Sequence, residues 1–214
     1  MTGVVSIVAG GWSFYEVDHR KVPGYVVAVN GAAQHLRCRV HAVVTMDRLW
    51  AQDAWPWAVE QHRDKGGPLW SLHARDAAIK NISPKEREDA PWLRPFRCRN
   101  TGLVPMSDDV AWLNGSNSGA CALNLAYQAR PRQLYLFGFD MCVSKKGLAY
   151  WYPHYAWTKK SGGTGKPKMM KWAREFDAMA RQFADAGIKV TNVSAGTIIR
   201  SFPRATPKAM GVQR

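Results

Sequence analysis

The chain has 214 residues, of which 46% are hydrophobic, and it carries 30 Lys/Arg against 16 Asp/Glu. That length and apolar fraction support a real core in one α/β domain over residues 1–214. No run of about eighteen apolar residues occurs, which excludes a membrane-spanning helix.

Taken in chain order, Val4–Ala9 reads as a first strand. It is too short, and lacks the basic flank, to be a signal peptide. It ends in Gly10-Gly11. A second strand, Tyr25–Val29, ends in Asn30-Gly31, and a third, His41–Thr45, runs into Asp47. Residues 48–112 hold Trp50, Trp55, Trp57, Trp70, Trp92 and Trp112, several prolines and the charged run Lys85–Asp89. They read as an irregular, Trp-rich insertion with a short helix near Gln52–Lys65 and long loops. The small polar loop Leu113–Gly119 then leads into a helix over Gly119–Ala129, and Leu134–Phe139 forms a strand ending in Asp140. Residues 143–167 are irregular again, aromatic over Tyr150–Trp157 and basic and glycine-rich over Lys159–Lys166. A loop of that length in a compact domain is a functional lid or disordered, and this one reads as the lid candidate. Lys168–Ala186 carries Met169, Trp172, Phe176, Met179 and Phe183 at helical spacing, a core-facing stripe. Lys189–Val193 is a last strand, with Asn192 and Ser194 at its end, and the tail after Pro203 reads as loose.

The strand candidates are continuous apolar runs and alternate with helices. Strands buried on both faces of a parallel sheet have this pattern, so the expected fold is an α/β, Rossmann-like, doubly wound sheet. In such sheets ligands sit outside the carboxyl ends of the strands, where this chain gathers small and polar residues. Ser116, Asn117, Ser118 and Gly119 open a helix, whose N-terminus exposes unbonded N–H groups and partial positive charge. They suit a phosphate, although Ser and Asn are also the ordinary helix caps. Asp140 ends a buried strand and has three open roles: a metal, a ribose hydroxyl, or a cap on the next turn. His154, in the aromatic half of the lid, is a candidate general base, set against simple packing.

Other chemistries find less support. No GxGxxG or GxxxxGK[ST] stands in its required context, so nicotinamide-binding and P-loop kinase readings are rejected. Cys38, Cys98, Cys121 and Cys142 form no CxxC pair and fit no zinc spacing, and they read as reduced thiols in a cytoplasmic protein. The positive charge is concentrated: residues 141–214 hold 14 Lys/Arg against 3 Asp/Glu, whereas residues 1–140 hold 16 against 13. A basic C-terminal third points to an anionic partner such as a nucleotide, DNA or an acidic glycan, although a solvated lysine-rich face gives the same count.

The segments Val8–Ser13, Val27–Asn30, Ala42–Asp47, Ser116–Gly119, Leu136–Asp140 and Asn192–Thr197 together resemble two groups of proteins. One is the bacterial CMP-sialic-acid-dependent sialyltransferases. The other is the MptE-like (6-hydroxymethylpterin pyrophosphokinase-like) family, which has phage members. The resemblance covers roughly residues 4–47 and 113–204. It implies that Gly10, Gly11, Asn30, Ser118 and Gly119 hold the nucleotide, with Asp47 touching it where the family more often has asparagine. It also implies that His154 is the base and that a tyrosine among Tyr150, Tyr152 and Tyr155 steadies the leaving phosphate; Tyr152 is paired with His154 as the catalytic candidate. The leading expectation is therefore a glycosyltransferase-like enzyme with a nucleotide-sugar donor, CMP-sugar-like, and a glycan or DNA acceptor, requiring no metal. One alternative is a diphosphotransferase using ATP, with magnesium at Asp47 or Asp140. The other is a non-enzymatic basic protein that binds nucleotide or nucleic acid.

Overall fold

The computed structural model describes residues 3–65, 67–71, 85, 90, 93–99, 105–147, 150–151 and 166–214. Strands β1 (Val4–Val8), β2 (Tyr25–Val29), β3 (Ala42–Thr45), β4 (Leu69–Ser71), β5 (Leu93–Pro95), β6 (Gln133–Phe137) and β7 (Lys189–Asn192) form one sheet. Its order is β5-β4-β3-β2-β1-β6-β7, and every pairing between neighbours is parallel. The fold is thus the expected α/β Rossmann-like one. Five strands match the continuous apolar runs, shifted by no more than a residue or two at their ends.

Among the described residues the α-helices are α1 (Ala32–His35), α2 (Arg48–Asp53), α3 (Trp55–Lys65), α4 (Ser118–Ala129) and α5 (Lys166–Asp185). Helices α4 and α5 cover one face of the sheet. There Ala120, Leu123, Phe176 and Phe183 pack with Val5, Ile7, Val27 and Val44 in the largest core cluster. The T-shaped contact of Phe139 with Phe176, at 5.4 Å, locks α5 onto the exit of β6. The opposite face has two smaller clusters. One joins α1, α2 and α3 to β3 and β4 through Ala33, Val43, Trp50 and Leu69. The other joins the 3-10 turn Trp12–Glu16 to β1, β2 and β6 through Phe14, Val8 and Phe137.

Chain order and strand order together fix where the sheet opens a crevice. From β1 the chain moves to β2 and beyond on one side, and β6 and β7 lie on the other. The direction of winding therefore reverses between β1 and β6. A doubly wound sheet opens a crevice at that switch point, outside the carboxyl ends of the strands.

Three expectations need correction. Residues 48–112 are not merely irregular, because they add β4 and β5 to the sheet edge. These strands have three residues each, and β5 ends in a proline, which only an edge strand tolerates. The helix placed near Gln52–Lys65 is in fact two, α2 and α3, meeting at Ala54. Nor is the tail after Pro203 loose. Val212 is 4% exposed and its carbonyl accepts from Asp18 N–H at 2.8 Å, while Ala205 N–H reaches Asn192 O at 3.1 Å. All four cysteines are free thiols.

Candidate functional site

The carboxyl edge of the sheet places Gly10 and Gly11 after β1, Asn30 after β2, Asp47 after β3 and Asp140 after β6. Parallel pairing puts these exits in one row. The β1–β6 ladder continues past the strands: Ala9 N–H donates to Phe137 O and Gly11 N–H to Gly138 O, both at 2.8 Å. A Cβ on Gly11 would lie 2.3 Å from both Gly138 O and Asp140 Oδ2. Glycine is required there because the two exits cross so closely.

Asp140 is fully buried. Its Oδ2 accepts from Ser13 N–H at 2.9 Å, at the start of the 3-10 turn, whereas Oδ1 has no hydrogen-bond partner among the described residues. Burial pushes this carboxyl above its ordinary value, with Ser13 and the Gly196 N–H pulling the other way. Around it, Trp12 Nε1, Ser13 Oγ and Asn30 Oδ1 are likewise buried without a full hydrogen bond. Ser13 Oγ still lies close enough to the carboxylate to ease its charge. Buried polar atoms are nearly always satisfied, so four of them at the exits of β1, β2 and β6 are unusual. Asn30 itself adopts the left-handed conformation, φ 49°, a turn role that asparagine accepts readily.

The second half of the site is the start of α4. Asn117 is its cap, with Oδ1 accepting from Ala120 N–H at 3.0 Å. Ser118 Oγ accepts from Met46 N–H at 2.9 Å and so pins the exit of β3 to the helix, leaving its own O–H to donate. Ser116 and Asn117, expected to face a phosphate, instead hold a carboxylate of the chain itself. Ser116 N–H donates to Glu175 Oε1 at 2.5 Å, the Ser116 hydroxyl donates to Oε2, and Asn117 Nδ2 donates to Oε2 at 3.0 Å. Glu175 is 2% exposed, and burial raises its pKa against the pull of these bonds. Gly119 is closely surrounded: a Cβ there would lie 3.0 Å from Asn117 Oδ1 and 3.2 and 3.4 Å from the rings of Phe139 and Phe176. Asp47 caps α2, its Oδ1 accepting from Trp50 N–H at 3.0 Å.

The segment after Asp140 returns across the first glycine turn. Tyr150 bridges Gly11, Trp151 N–H donates to Gly10 O at 3.1 Å, and Trp151 Nε1 donates to Ala9 O at 3.0 Å. The Trp151 ring meets Phe14 and His19 edge-on at 5.0 and 4.7 Å. Tyr152 and His154 lie outside the described residues. The β7 exit is tied in through Asn192, Ser194 and Thr197: Ser194 Oγ accepts from Phe139 N–H at 2.7 Å, and Thr197 Oγ1 donates to Phe139 O at 2.7 Å. Among the described residues no group of three or more His, Cys, Asp and Glu gathers as metal ligands would. No helix among them is long and apolar enough to cross a membrane.

Glu175 escaped the sequence reading, although a signal was present. It stands three residues after Trp172 and four before Met179, on the apolar stripe of α5, where a carboxylate needs partners. Ser13 was visible beside the glycines but not as the partner of Asp140, because 127 residues separate them.

No family model matches the chain, and no curated protein matches it. Solved structures do share its fold. The sialyltransferase CstII from Campylobacter jejuni, in complex with the substrate analogue CMP-3FNeuAc, superimposes with a TM-score of 0.56 at 14% identity, over 100% of this chain and 89% of that one. CstII with cytidine-5'-monophosphate gives 0.55 at 12% identity, over 97% and 86%. The monofunctional alpha-2,3-sialyltransferase Cst-I from the same organism gives 0.57 at 10% identity, over 97% and 82%. The chain has the fold of these sialyltransferases.

Proposed function

We propose that this protein is a glycosyltransferase that takes a nucleotide-activated sugar, CMP-sugar-like, at the carboxyl edge of its sheet. One observation carries the reading: Asn30 Oδ1 and Asp140 Oδ1 are buried without partners among the described residues at the exits of β2 and β6, beside the buried Trp12 Nε1 and Ser13 Oγ, which make no full hydrogen bond and have only the Cys142 thiol and the Asp140 carboxylate acting on them. Two of these atoms can only accept and one can only donate, and a nucleoside offers matching hydroxyls and ring amines. The reading is supported by the solved structures of this fold that hold CMP or a CMP-sugar analogue.

In this reading Gly10, Gly11, Asn30 and Asp140 border the nucleoside. The phosphate faces the Ser118–Gly119 end of α4, where the helix end is electropositive. Asp47 bounds the pocket beside Ser118, while Ser116 and Asn117 brace the helix start through Glu175. His154 and Tyr152 follow Trp151, whose contacts hold the chain against the Gly10 turn. His154 takes the proton of an acceptor hydroxyl as that oxygen bonds to the anomeric carbon. The bond from that carbon to the phosphate oxygen breaks, and the nucleotide leaves with the electron pair, steadied by Tyr152 and lysines of residues 143–167. The acceptor is anionic or neutral glycan in this account, with DNA as the competing acceptor class.

A thermal-shift panel of CMP, UDP, GDP, ADP and ATP, with and without magnesium, tests the donor class. A ligand at 100 times its Kd adds about 2.7 kcal/mol of stability. Stabilisation by CMP without magnesium supports the reading. Stabilisation by ATP only with magnesium favours the diphosphotransferase, and none by any nucleotide overturns both. With a donor in hand, His154→Gln is expected to lower turnover about 100-fold while leaving donor affinity nearly unchanged.

A further inference from the structure

A second cavity lies on the face of the sheet opposite α4 and α5, away from the switch-point crevice. It holds about 660 Å³, inside the range of about 300–1,000 Å³ usual for small-molecule sites. Its floor is Ala33 of α1 and Val43 of β3, and Trp57 of α3 forms one wall, with Gln61 one turn further along the same helix. The opposite wall is the connection Leu36–Val40. That stretch leads into β3, and its side chains alternate: Leu36, Cys38 and Val40 are partly buried, whereas Arg37 and Arg39 are exposed at the rim.

The charge at this rim is one-sided. Among the described residues no Asp or Glu lines the cavity. Arg37 and Arg39 form no ion pair among them either. Their charge reaches neighbouring groups instead. After burial, Arg37 is the next cause holding the His19 imidazole below its ordinary value, and Arg39 does the same at His41. Two such guanidiniums over an apolar floor with an indole wall have a defined chemical complement. Guanidinium forks bind carboxylate, sulfonate or phosphate in bidentate fashion, and an indole face takes a flat ring.

We propose that this cleft is a second ligand site that binds a small amphipathic anion. The flat apolar body lies against Trp57 and Val43, and the anionic head lies between Arg37 and Arg39. The site is independent of the transferase reading, because none of its lining residues belongs to the row at the strand exits.

The probe is 8-anilinonaphthalene-1-sulfonate, which has a flat apolar body and one sulfonate, titrated at physiological salt and followed by its fluorescence and by calorimetry. Saturable binding at one site per chain is expected. Arg37→Glu/Arg39→Glu should weaken it about tenfold or more, with circular dichroism and Tm preserved because both side chains are exposed. The control Arg181→Glu/Lys208→Glu makes the same change in net charge at exposed positions elsewhere and should leave affinity within about twofold. Saturating CMP should not displace the probe. The proposal is overturned by absence of saturable binding to the wild type, by a smaller loss in the double variant, by an equal loss in the control, or by displacement with CMP.

Discussion

Asp140 has one oxygen engaged in the fold and one that the proposed function assigns to a ligand. One oxygen starts the 3-10 turn by accepting from Ser13 N–H; the other is buried with no partner among the described residues. Such an arrangement lowers stability while leaving an acceptor open, and the same burial raises the pKa of the carboxyl. The sign of the pH effect follows. A carboxyl raised by folding contributes stability that is present below the ordinary carboxylate range and is lost as pH rises through its folded value. Asp140→Asn does not titrate and keeps an oxygen for Ser13. Its stability relative to wild type is therefore expected to increase in urea melts as pH rises above the ordinary carboxylate range, while nucleotide affinity falls by about 1.5–3 kcal/mol. Parallel stability curves for the two proteins would contradict this account. Glu175 answers to a different logic, since all of its visible bonds are internal. Glu175→Gln keeps one acceptor for Ser116 N–H but turns an amide NH2 toward the donor Asn117 Nδ2. The expected loss is about 1–3 kcal/mol of stability, read from the denaturation midpoint.

At the scale of elements, legibility in the sequence tracked how local the signal was. Strands β1, β2, β3 and β6 each bury most of four or five consecutive residues, so continuous apolar runs reveal them, and β7, which buries Val190 and Asn192, is legible from the run Ile188–Val193. Strands β4 and β5 do not announce themselves. Only Leu69, Ser71 and Leu93 are buried there, and Arg94 and Pro95 at the sheet edge break the run. The pairing of β4 with β3 and of β5 with β4 comes with tertiary packing of Leu69 and Leu93 in one cluster with Val43 and Trp50. The row of polar strand ends was legible for the same reason as the strands, because parallel strands share an exit edge. The clamp of Ser116 and Asn117 onto Glu175 was not, because a contact across 59 residues leaves no periodicity. The Gly10–Gly11 turn gives the element-scale prediction. Gly11→Ala places a methyl group 2.3 Å from backbone Gly138 O, which cannot rotate away. The exits of β1 and β6 must separate, at a cost of about 1–3 kcal/mol, and a calorimetric Tm equal to wild type would show that the crossing is looser than described.

For the whole molecule, topology and charge bear on different questions. Reversal of winding between β1 and β6 selects one crevice out of the entire carboxyl edge. Four of the six buried, unpartnered side-chain atoms among the described residues fall at that crevice and at the neighbouring exit of β2; His19 Nδ1 and Gln128 Oε1 lie elsewhere. The excess of 14 Lys/Arg over 3 Asp/Glu in residues 141–214 supplies a general field for anions but does not choose among them. Fold likeness to sialyltransferases at 10–14% identity is in the same position, since one fold hosts many reactions. The central claim is therefore a claim about place: a nucleotide binds at the β1/β6 switch point. Amide chemical-shift mapping during titration with CMP tests it most directly, because it reports binding and location together. The account predicts saturable shifts concentrated at Gly10, Gly11, Ser13, Asn30, Ser118 and Asp140. Shifts confined to Ala33–Val43 and Trp57, or no shifts at millimolar CMP, would contradict it.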